Sequence, residues 1–198
     1  MRVLIAYERS GRVRQAFRDL GHDAWSNDIV PADDGSEKHL EMDAKHAISA
    51  NRWDLIIMHC PCTALAVSGN AWYGIGKPKH RERLEAIDYT LGMLEYAKQH
   101  APRVALENPV GVLSQRLRPS QYIQPYQFGH PESKKTGLWL HGLPLLTATH
   151  DVKAAYDALP KAQAQRLHYL SPSADRARIR SETFSGIAEA MAQQWGQA

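Results

Sequence analysis

The chain has 198 residues and a mass of 22.2 kDa, with 43% apolar and 23% charged residues. That size and balance fit a globular unit with a sizeable core and exclude a disordered, fibrous or collagen-like chain. Twenty-four Lys and Arg against 21 Asp and Glu leave a net charge of +3, an excess that permits nucleic-acid binding without announcing it. The two cysteines, Cys60 and Cys62, stand too close for a structural disulfide and are too few for a zinc site, so free thiols and no metal are expected. No apolar run reaches the roughly 18 residues of a membrane span. The opening MRVLIAYERSG has no apolar signal core and no small-residue cleavage site. A soluble, cytoplasmic protein is the expectation.

Val3 to Ala6 form a short apolar run that predicts a first strand, ending at Tyr7-Glu8-Arg9-Ser10-Gly11. Val13, Ala16, Phe17 and Leu20 then recur at helical spacing, and Gly21 closes the helix. A second strand is expected over His22 to Ser26, ending at Asn27-Asp28. Strand, helix and strand in under thirty residues begin a βαβ unit and a parallel sheet. Pro31 to Lys38 reads as a loop. A short element around His39 to Met42 ends at Asp43, and a helix follows from Ala44 to Asn51. Trp53 to Met58 is the near-continuous apolar run of a buried parallel strand, and it stops at His59-Cys60-Pro61-Cys62-Thr63. Ala64 to His80 reads as a long loop with several glycines. Arg81 to His100 predicts a long helix with Leu84, Ile87, Leu91, Leu94 and Ala97 on its apolar face. Val104 to Leu106 predicts another buried strand, ending in Glu107-Asn108-Pro109. Ile123 to Gly137 reads as loop, Leu138 to Leu140 as a short strand, and Glu182 to Trp195 as a final helix. No internal repeat or low-complexity tract is present.

In open α/β sheets, ligands bind beyond the carboxyl ends of the strands. Those ends carry Tyr7 to Gly11, Asp28, Asp43, Cys60 to Thr63, and Glu107 to Pro109. The first loop holds one glycine, Gly11, and so falls short of a full phosphate-binding pattern. Asp28 follows Gly11 by 17 positions, about where nucleotide folds keep a ribose-binding carboxylate. Asp43 is placed to meet an exocyclic amine of adenine. Together they point to a nucleoside-containing cofactor held without a phosphate-gripping loop. Cys62 follows Pro61 on a turn at the sheet edge, where a thiolate is accessible. A thiolate with a carboxylic acid nearby suits addition across a conjugated ring, with the acid at a ring nitrogen. Cys60, on the strand side of Pro61, reads as structural.

This order of motifs resembles that of the DNA cytosine-5 methyltransferases. Pro61-Cys62 is similar to the family's Pro-Cys nucleophile motif. Glu107-Asn108-Pro109 is similar to its Glu-Asn-Val motif. Phe128-Gly129-His130-Pro131-Glu132-Ser133-Lys134 is similar to its Phe-Gly-x-Pro-Gln-x-Arg segment, with Lys134 in place of Arg. Arg180 to Phe184 and Gly186 to Ala190 resemble its last two motifs in shortened form. The chain resembles more closely still the small methyltransferase-like proteins of bacteriophages and prophages.

The resemblance implies a Rossmann-like S-adenosylmethionine-dependent methyltransferase fold, a mostly parallel sheet with helices on both faces, and a single catalytic domain over 1–198. It implies Cys62, Glu107, Asn108 and Lys134 as catalytic residues. It implies Tyr7, Glu8, Ser10, Gly11, Asp28, Asp43 and Pro61 around S-adenosylmethionine. The reaction would be methyl transfer to carbon 5 of cytosine, most plainly in DNA. Departures from the family are Cys60 and Thr63 around Pro61-Cys62, and the lack of a separate target-recognition domain. Only 46 positions lead from Lys134 to Arg180, so weakly sequence-specific DNA binding through phosphate contacts is expected. Lys77, Lys79, Arg81, Arg83, Lys134 and Lys135 are the candidate contacts, with Trp72 and Tyr73 placed to stack on a flipped base. Two other readings remain open. One is modification of a free pyrimidine nucleotide, or transfer of another alkyl group from a modified donor. The other is a non-catalytic protein that binds DNA or a host enzyme.

Overall fold

Val3 to Ala6 and Leu55 to Met58 are fully buried. Strands apolar on both faces must be covered on both faces, which makes them the centre of a parallel sheet. In the computed structural model, which describes residues 1–197, they are β1 (Arg2–Ala6) and β4 (Leu55–Met58). Around them lie β2 (Asp23–Asp28), β3 (His39–Glu41), β5 (Val104–Pro109), β6 (Gln121–Ile123) and β7 (Thr136–His141). The sheet order is β3-β2-β1-β4-β5-β7-β6. The first five strands run parallel, and β7 runs antiparallel to both its neighbours.

The helices are α1 (Arg12–Asp19), α2 (Ala44–Ser49), α3 (Asn70–Tyr73), α4 (His80–His100) and α5 (Leu113–Arg116). After the last strand come α6 (Lys153–Ala158), α7 (Lys161–Ala164), α8 (Arg166–Tyr169), α9 (Arg176–Ser181) and α10 (Ser185–Trp195). One core packs Val13, Phe17, Met191 and Trp195 of α1 and α10 against Val3, Ile5 and Ile57. The other packs Ile48 of α2 and Met93, Leu94 and Ala97 of α4 against Leu4, Ile56 and Leu106. Alternate residues of each central strand therefore feed opposite cores. This is a Rossmann-like architecture, with helices on both faces of a mostly parallel sheet. No helix among the described residues is long and apolar enough to cross a membrane.

Several expectations need correction. β5 does not stop at Leu106. It continues through Glu107, Asn108 and Pro109, because β7 pairs with all three from its antiparallel side. Pro109, at the strand end, does not break the chain there. β7 starts at Thr136, and β6 pairs with it at the sheet edge inside a stretch whose polar sequence read as loop or went unassigned. In α4 the buried face runs through Arg83, Ile87, Thr90, Met93, Leu94 and Ala97, while Leu84 is 39% exposed. The last helix begins at Ser185, and Glu182 to Phe184 form an extended link from α9.

Arg83 accounts for the turn of α4. It is 5% exposed, and its guanidinium donates to the Ala64 carbonyl at 2.7 Å and to Asn70 Oδ1 at 2.8 Å. The 64–80 segment is thus pinned from beneath by a buried arginine. It also carries a short 3-10 turn and α3 where the sequence read as loop throughout. Arg83 is thereby removed from the candidate nucleic-acid contacts.

Trp195 is fully buried and its indole N–H donates to the Pro144 carbonyl at 3.1 Å. Trp195→Ala should lower unfolding free energy by about 3–5 kcal/mol in urea denaturation. Ile75→Ala, at a side chain 91% exposed, should change it by less than about 0.5 kcal/mol. Equal effects at the two positions would contradict this packing.

Candidate active site

The register of the sheet builds the site. Ala6 pairs with Asn27 and Met58, and Met58 pairs with Leu106. One residue further, Asp28, Tyr7, His59 and Glu107 therefore stand in a row across four neighbouring strands. The His59 N–H donates to the Ala6 carbonyl at 3.0 Å and extends that row past the end of β4. The sequence had placed each residue near a strand end; pairing puts them side by side.

Tyr7 is a non-glycine residue at φ 61°, a left-handed conformation that stores strain where β1 ends. Its hydroxyl lies 2.8 Å from that of Tyr89 on α4, and burial pushes its pKa up. The reversal lets Glu8 turn inward. Glu8 is 5% exposed, and its two oxygens accept from the N–H groups of Val13, at 2.6 Å, and Arg14, at 3.1 Å. A carboxylate of this chain thus fills the amino end of α1, where a phosphate sits in dinucleotide folds. Burial raises the Glu8 pKa, opposed by His59 and by those N–H groups. Gly11 sits at φ 70° beside the Arg14 guanidinium, which any Cβ would strike. Ser10 Oγ lies 3.4 Å from the Arg12 N–H. Arg14, fully buried, donates to Ser26 Oγ at 2.7 Å and pairs with Asp34. That pair ties the 31–38 segment to α1 and β2.

Asp28 is half-buried and accepts from the Val30 N–H at 3.3 Å. Asp43 is exposed and caps α2, accepting from the Lys45 N–H at 2.8 Å. Its charge still reaches the Tyr7 hydroxyl. Asp28 and Tyr7 stand side by side at the strand ends, and Asp43, whose charge reaches Tyr7, also serves as a helix cap.

Cys60 is buried, and its thiol, removed from water, is pushed up to about 12 despite a hydrogen bond with Tyr7. Cys62 is half-buried and Pro61 is exposed. Burial raises the Cys62 thiol and the nearby charge of Glu107 raises it further; Lys134 and Arg180 pull it down. Asn108 is fully buried and donates from Nδ2 to the Cys60 carbonyl at 3.1 Å. It locks β5 to the turn that presents Cys62. That bond gives Asn108 a structural task beside the catalytic one that the resemblance implies.

Glu107 lies in β5 itself and its side chain is 12% exposed. Burial by itself would raise its pKa, but the His59 hydrogen bond, with the charges of Lys134 and His59, outweighs burial and holds it below the ordinary carboxylate value. Lys134 donates from Nζ to the Glu182 carbonyl at 3.0 Å, which fixes it between Glu107 and the link into α10. Glu182 in turn pairs with Arg12 and Arg178. A cavity of about 300 Å³ opens beside these groups, lined by Arg12, His130, Glu132, Arg166, Glu182 and Phe184. Its arginines are already paired with Glu182 and Glu132.

The structure thus brings together Cys62, Glu107 and Lys134, and on the other side Tyr7, Asp28 and Asp43. Sequence reasoning missed His59 as a partner of Glu107 and Arg180 as a cation near the thiol. Strand spacing was the available signal for His59, because it follows Met58 as Glu107 follows Leu106. No group of three or more His, Cys, Asp or Glu among the described residues is arranged to hold a metal ion.

No family model and no curated protein matches the chain. Solved structures that superpose on it include a prophage-encoded protein of E. coli described as a DNA modification methyltransferase. It has 13% identity and a TM-score of 0.49 over 81% of this chain and 56% of that one. The Dnmt2 methyltransferase of S. pombe superposes at 16% identity and a TM-score of 0.46 over 100% of this chain and 66% of that one. The DNMT2 of Spodoptera frugiperda, as a triple mutant, superposes at 18% and 0.44 over 76% and 54%. The chain spans between 54% and 66% of the lengths of these three proteins.

The raised Cys62 thiol should be alkylated by iodoacetamide more slowly than free cysteine at pH 7.5, since less of it is thiolate. Lys134→Gln removes a cation that lowers this pKa and should slow alkylation further. Glu107→Gln removes a charge that raises it and should speed alkylation. Peptide mapping of the labelled thiol separates Cys62 from buried Cys60. The opposite order of the two variants would contradict the arrangement.

Proposed function

We propose that the protein is an enzyme that methylates carbon 5 of cytosine in DNA, with S-adenosylmethionine as donor. The observation that carries this reading is the thiol of Cys62 beside the buried carboxylate of Glu107, with Lys134 and Arg180 acting on the same thiol.

The strand-end residues fit the donor. Glu8 occupies the amino end of α1, which disfavours a cofactor gripped there by a pyrophosphate. Tyr7, Asp28 and Asp43 still offer hydroxyl and carboxylate groups along the edge of β1 to β3. In this reading Asp28 holds the ribose hydroxyls and Asp43 the adenine amine. Tyr7, Ser10, Gly11 and Pro61 lie by the methionine end, and Glu8 shapes that loop from within. When bound, the donor supplies an electrophilic methyl group on a sulfonium.

The chain's own residues perform the rest. Cys62 raises its own barrier by resting as a thiol beside the Glu107 charge. Moving one proton from Cys62 to Glu107 gives a thiolate, stabilised by Lys134 and Arg180, and a neutral acid. Those are the two forms that addition to a pyrimidine needs. The thiolate bonds to carbon 6 as the carbon 5–carbon 6 π pair moves toward carbon 5, and Glu107 delivers its proton to nitrogen 3. Carbon 5 then takes the methyl group, leaving the donor as a neutral thioether. Loss of the carbon 5 proton to water restores the double bond as the Cys62 sulfur leaves. The proton on nitrogen 3 returns to Glu107. Lys134 contributes charge throughout and Asn108 keeps the turn in place.

In duplex DNA carbon 6 is inaccessible within the stack, so the target base must be flipped. Exposed Trp72 and the exposed basic residues Lys77, Lys79, Arg81 and Lys135 suit base and phosphate contact. Only short helices, α6 to α9, stand between β7 and α10. A chain of this kind offers little surface for reading base edges, so weak sequence preference is expected. The same observation favours a second reading, in which the acceptor is a free pyrimidine nucleotide.

The test is methylation of DNA followed by mass spectrometry of its nucleosides. Wild-type protein with S-adenosylmethionine should yield 5-methyldeoxycytidine. Cys62→Ser should yield none, because serine's hydroxyl is scarcely ionised at neutral pH, while Cys60→Ser should retain most of the product. Methylation of a free cytidine nucleotide with none of DNA would favour the second reading. No methylated pyrimidine from any acceptor would contradict both.

A further inference from the structure

His59 is a largely buried titratable group at this edge that the chemistry above leaves without a task. Its Nδ1 lies 2.8 Å from Glu107 Oε2, with the two side chains only 9% and 12% exposed. Its Nε2 is buried and has no hydrogen-bond partner. Glu8, beyond the end of neighbouring β1, is close enough for its charge and that of His59 to act on one another. The ring is carried by backbone that continues the β1–β4 pairing rather than by a surface loop.

A buried ring nitrogen without a partner weakens a fold. The ring bears that cost at Nε2 while its Nδ1 partners Glu107. A carboxyl group has two oxygens, and a hydrogen bond donated to one leaves the other to carry a proton. We propose that His59 is a positioning residue: its Nδ1–H donates to Oε2 of Glu107, so that Oε1 faces the pyrimidine and is the oxygen that exchanges a proton with nitrogen 3. The proposal rests on the cytosine reading above and deepens it. In the neutral ring this assignment makes Nε2 the unprotonated nitrogen. The groups around the pair are Glu8 beside His59, and Lys134, Cys62 and the hydrogen-bonding hydroxyl of Thr136 beside Glu107.

Three substitutions separate the two ring nitrogens. His59→Leu fills the space with no donor. His59→Asn places an amide N–H near the position of Nδ1, and His59→Gln reaches the position of Nε2. Two readouts are needed: the carboxyl NMR titration of Glu107 in ligand-free protein, and kcat and KM for methyl transfer to a cytosine oligonucleotide. The Leu variant leaves the Glu107 carboxylate short of a donor, so it should melt lower than wild type at neutral pH, and its Glu107 should titrate at higher pH. Its kcat should fall by roughly 10- to 100-fold, as expected when a catalytic group loses its placement, with KM little changed. Asn should restore both readouts and Gln neither. A Leu variant with unaltered titration and kcat overturns the proposal, and so does equal rescue by Asn and Gln. If the Leu variant fails to fold, the contrast between Asn and Gln decides. The NMR readout needs no substrate. A shifted Glu107 titration in a protein that methylates nothing would leave the His59–Glu107 pair standing and overturn the cytosine reading instead.

Discussion

The carboxylate of Glu107 is almost withdrawn from water where the parallel pairing of the sheet ends, and the site is organised around keeping it charged there. Removing an ionised carboxylate from water costs several kcal/mol unless partners replace the lost hydration. His59 and Lys134 are those partners. His59 arrives because β4 and β5 pair in a register that sets Met58 beside Leu106. Lys134 arrives because β7 runs antiparallel to β5 and brings the preceding segment back over its end. The reversed strand is therefore as necessary to the chemistry as the parallel ones.

A second buried carboxylate divides the edge into two kinds of ground. Glu8 takes two N–H groups at the amino end of α1, so the strongest anion-binding feature of a Rossmann-like sheet is satisfied within the chain. What is left along β1 to β3 is a set of polar groups at the strand ends, Tyr7, Asp28 and Asp43. Beyond β4 and β5 the ground is different: a thiol, a carboxylate, and two cations that favour the thiolate.

Much of this was legible in the sequence. The aliphatic runs of β1 and β4 hold four consecutive buried residues each and that of β5 three, and such short runs stopping at polar residues suit buried parallel strands. Strand ends then gave Tyr7, Glu8, Asp28, Cys62 and Glu107 directly. β6 and the start of β7 were not legible, because Gln121 to Ile123 and Thr136-Gly137 owe their strand state to pairing partners rather than to propensity. The apolar face of α4 was misread because buried Arg83 counted as polar surface, although its guanidinium is consumed by carbonyls of the 64–80 segment. Asn108 read as catalytic from its neighbour, and only its bond to the Cys60 carbonyl reveals the turn it secures. The partner of His59 follows from the β4–β5 register, which the sequence does not display.

The claim on which everything else turns is that Cys62 attacks carbon 6 of a cytosine. The most direct measurement is intact mass spectrometry of the protein after incubation with S-adenosylmethionine and an oligonucleotide carrying 5-fluorocytosine. Fluorine cannot leave carbon 5 as a proton does, so release of the sulfur is blocked after methyl transfer. The account predicts a denaturation-resistant species with the mass of protein, oligonucleotide and one methyl group, and with the crosslink mapped to the peptide containing Cys62. Absence of any such species, or a crosslink carried by Cys60, would contradict it.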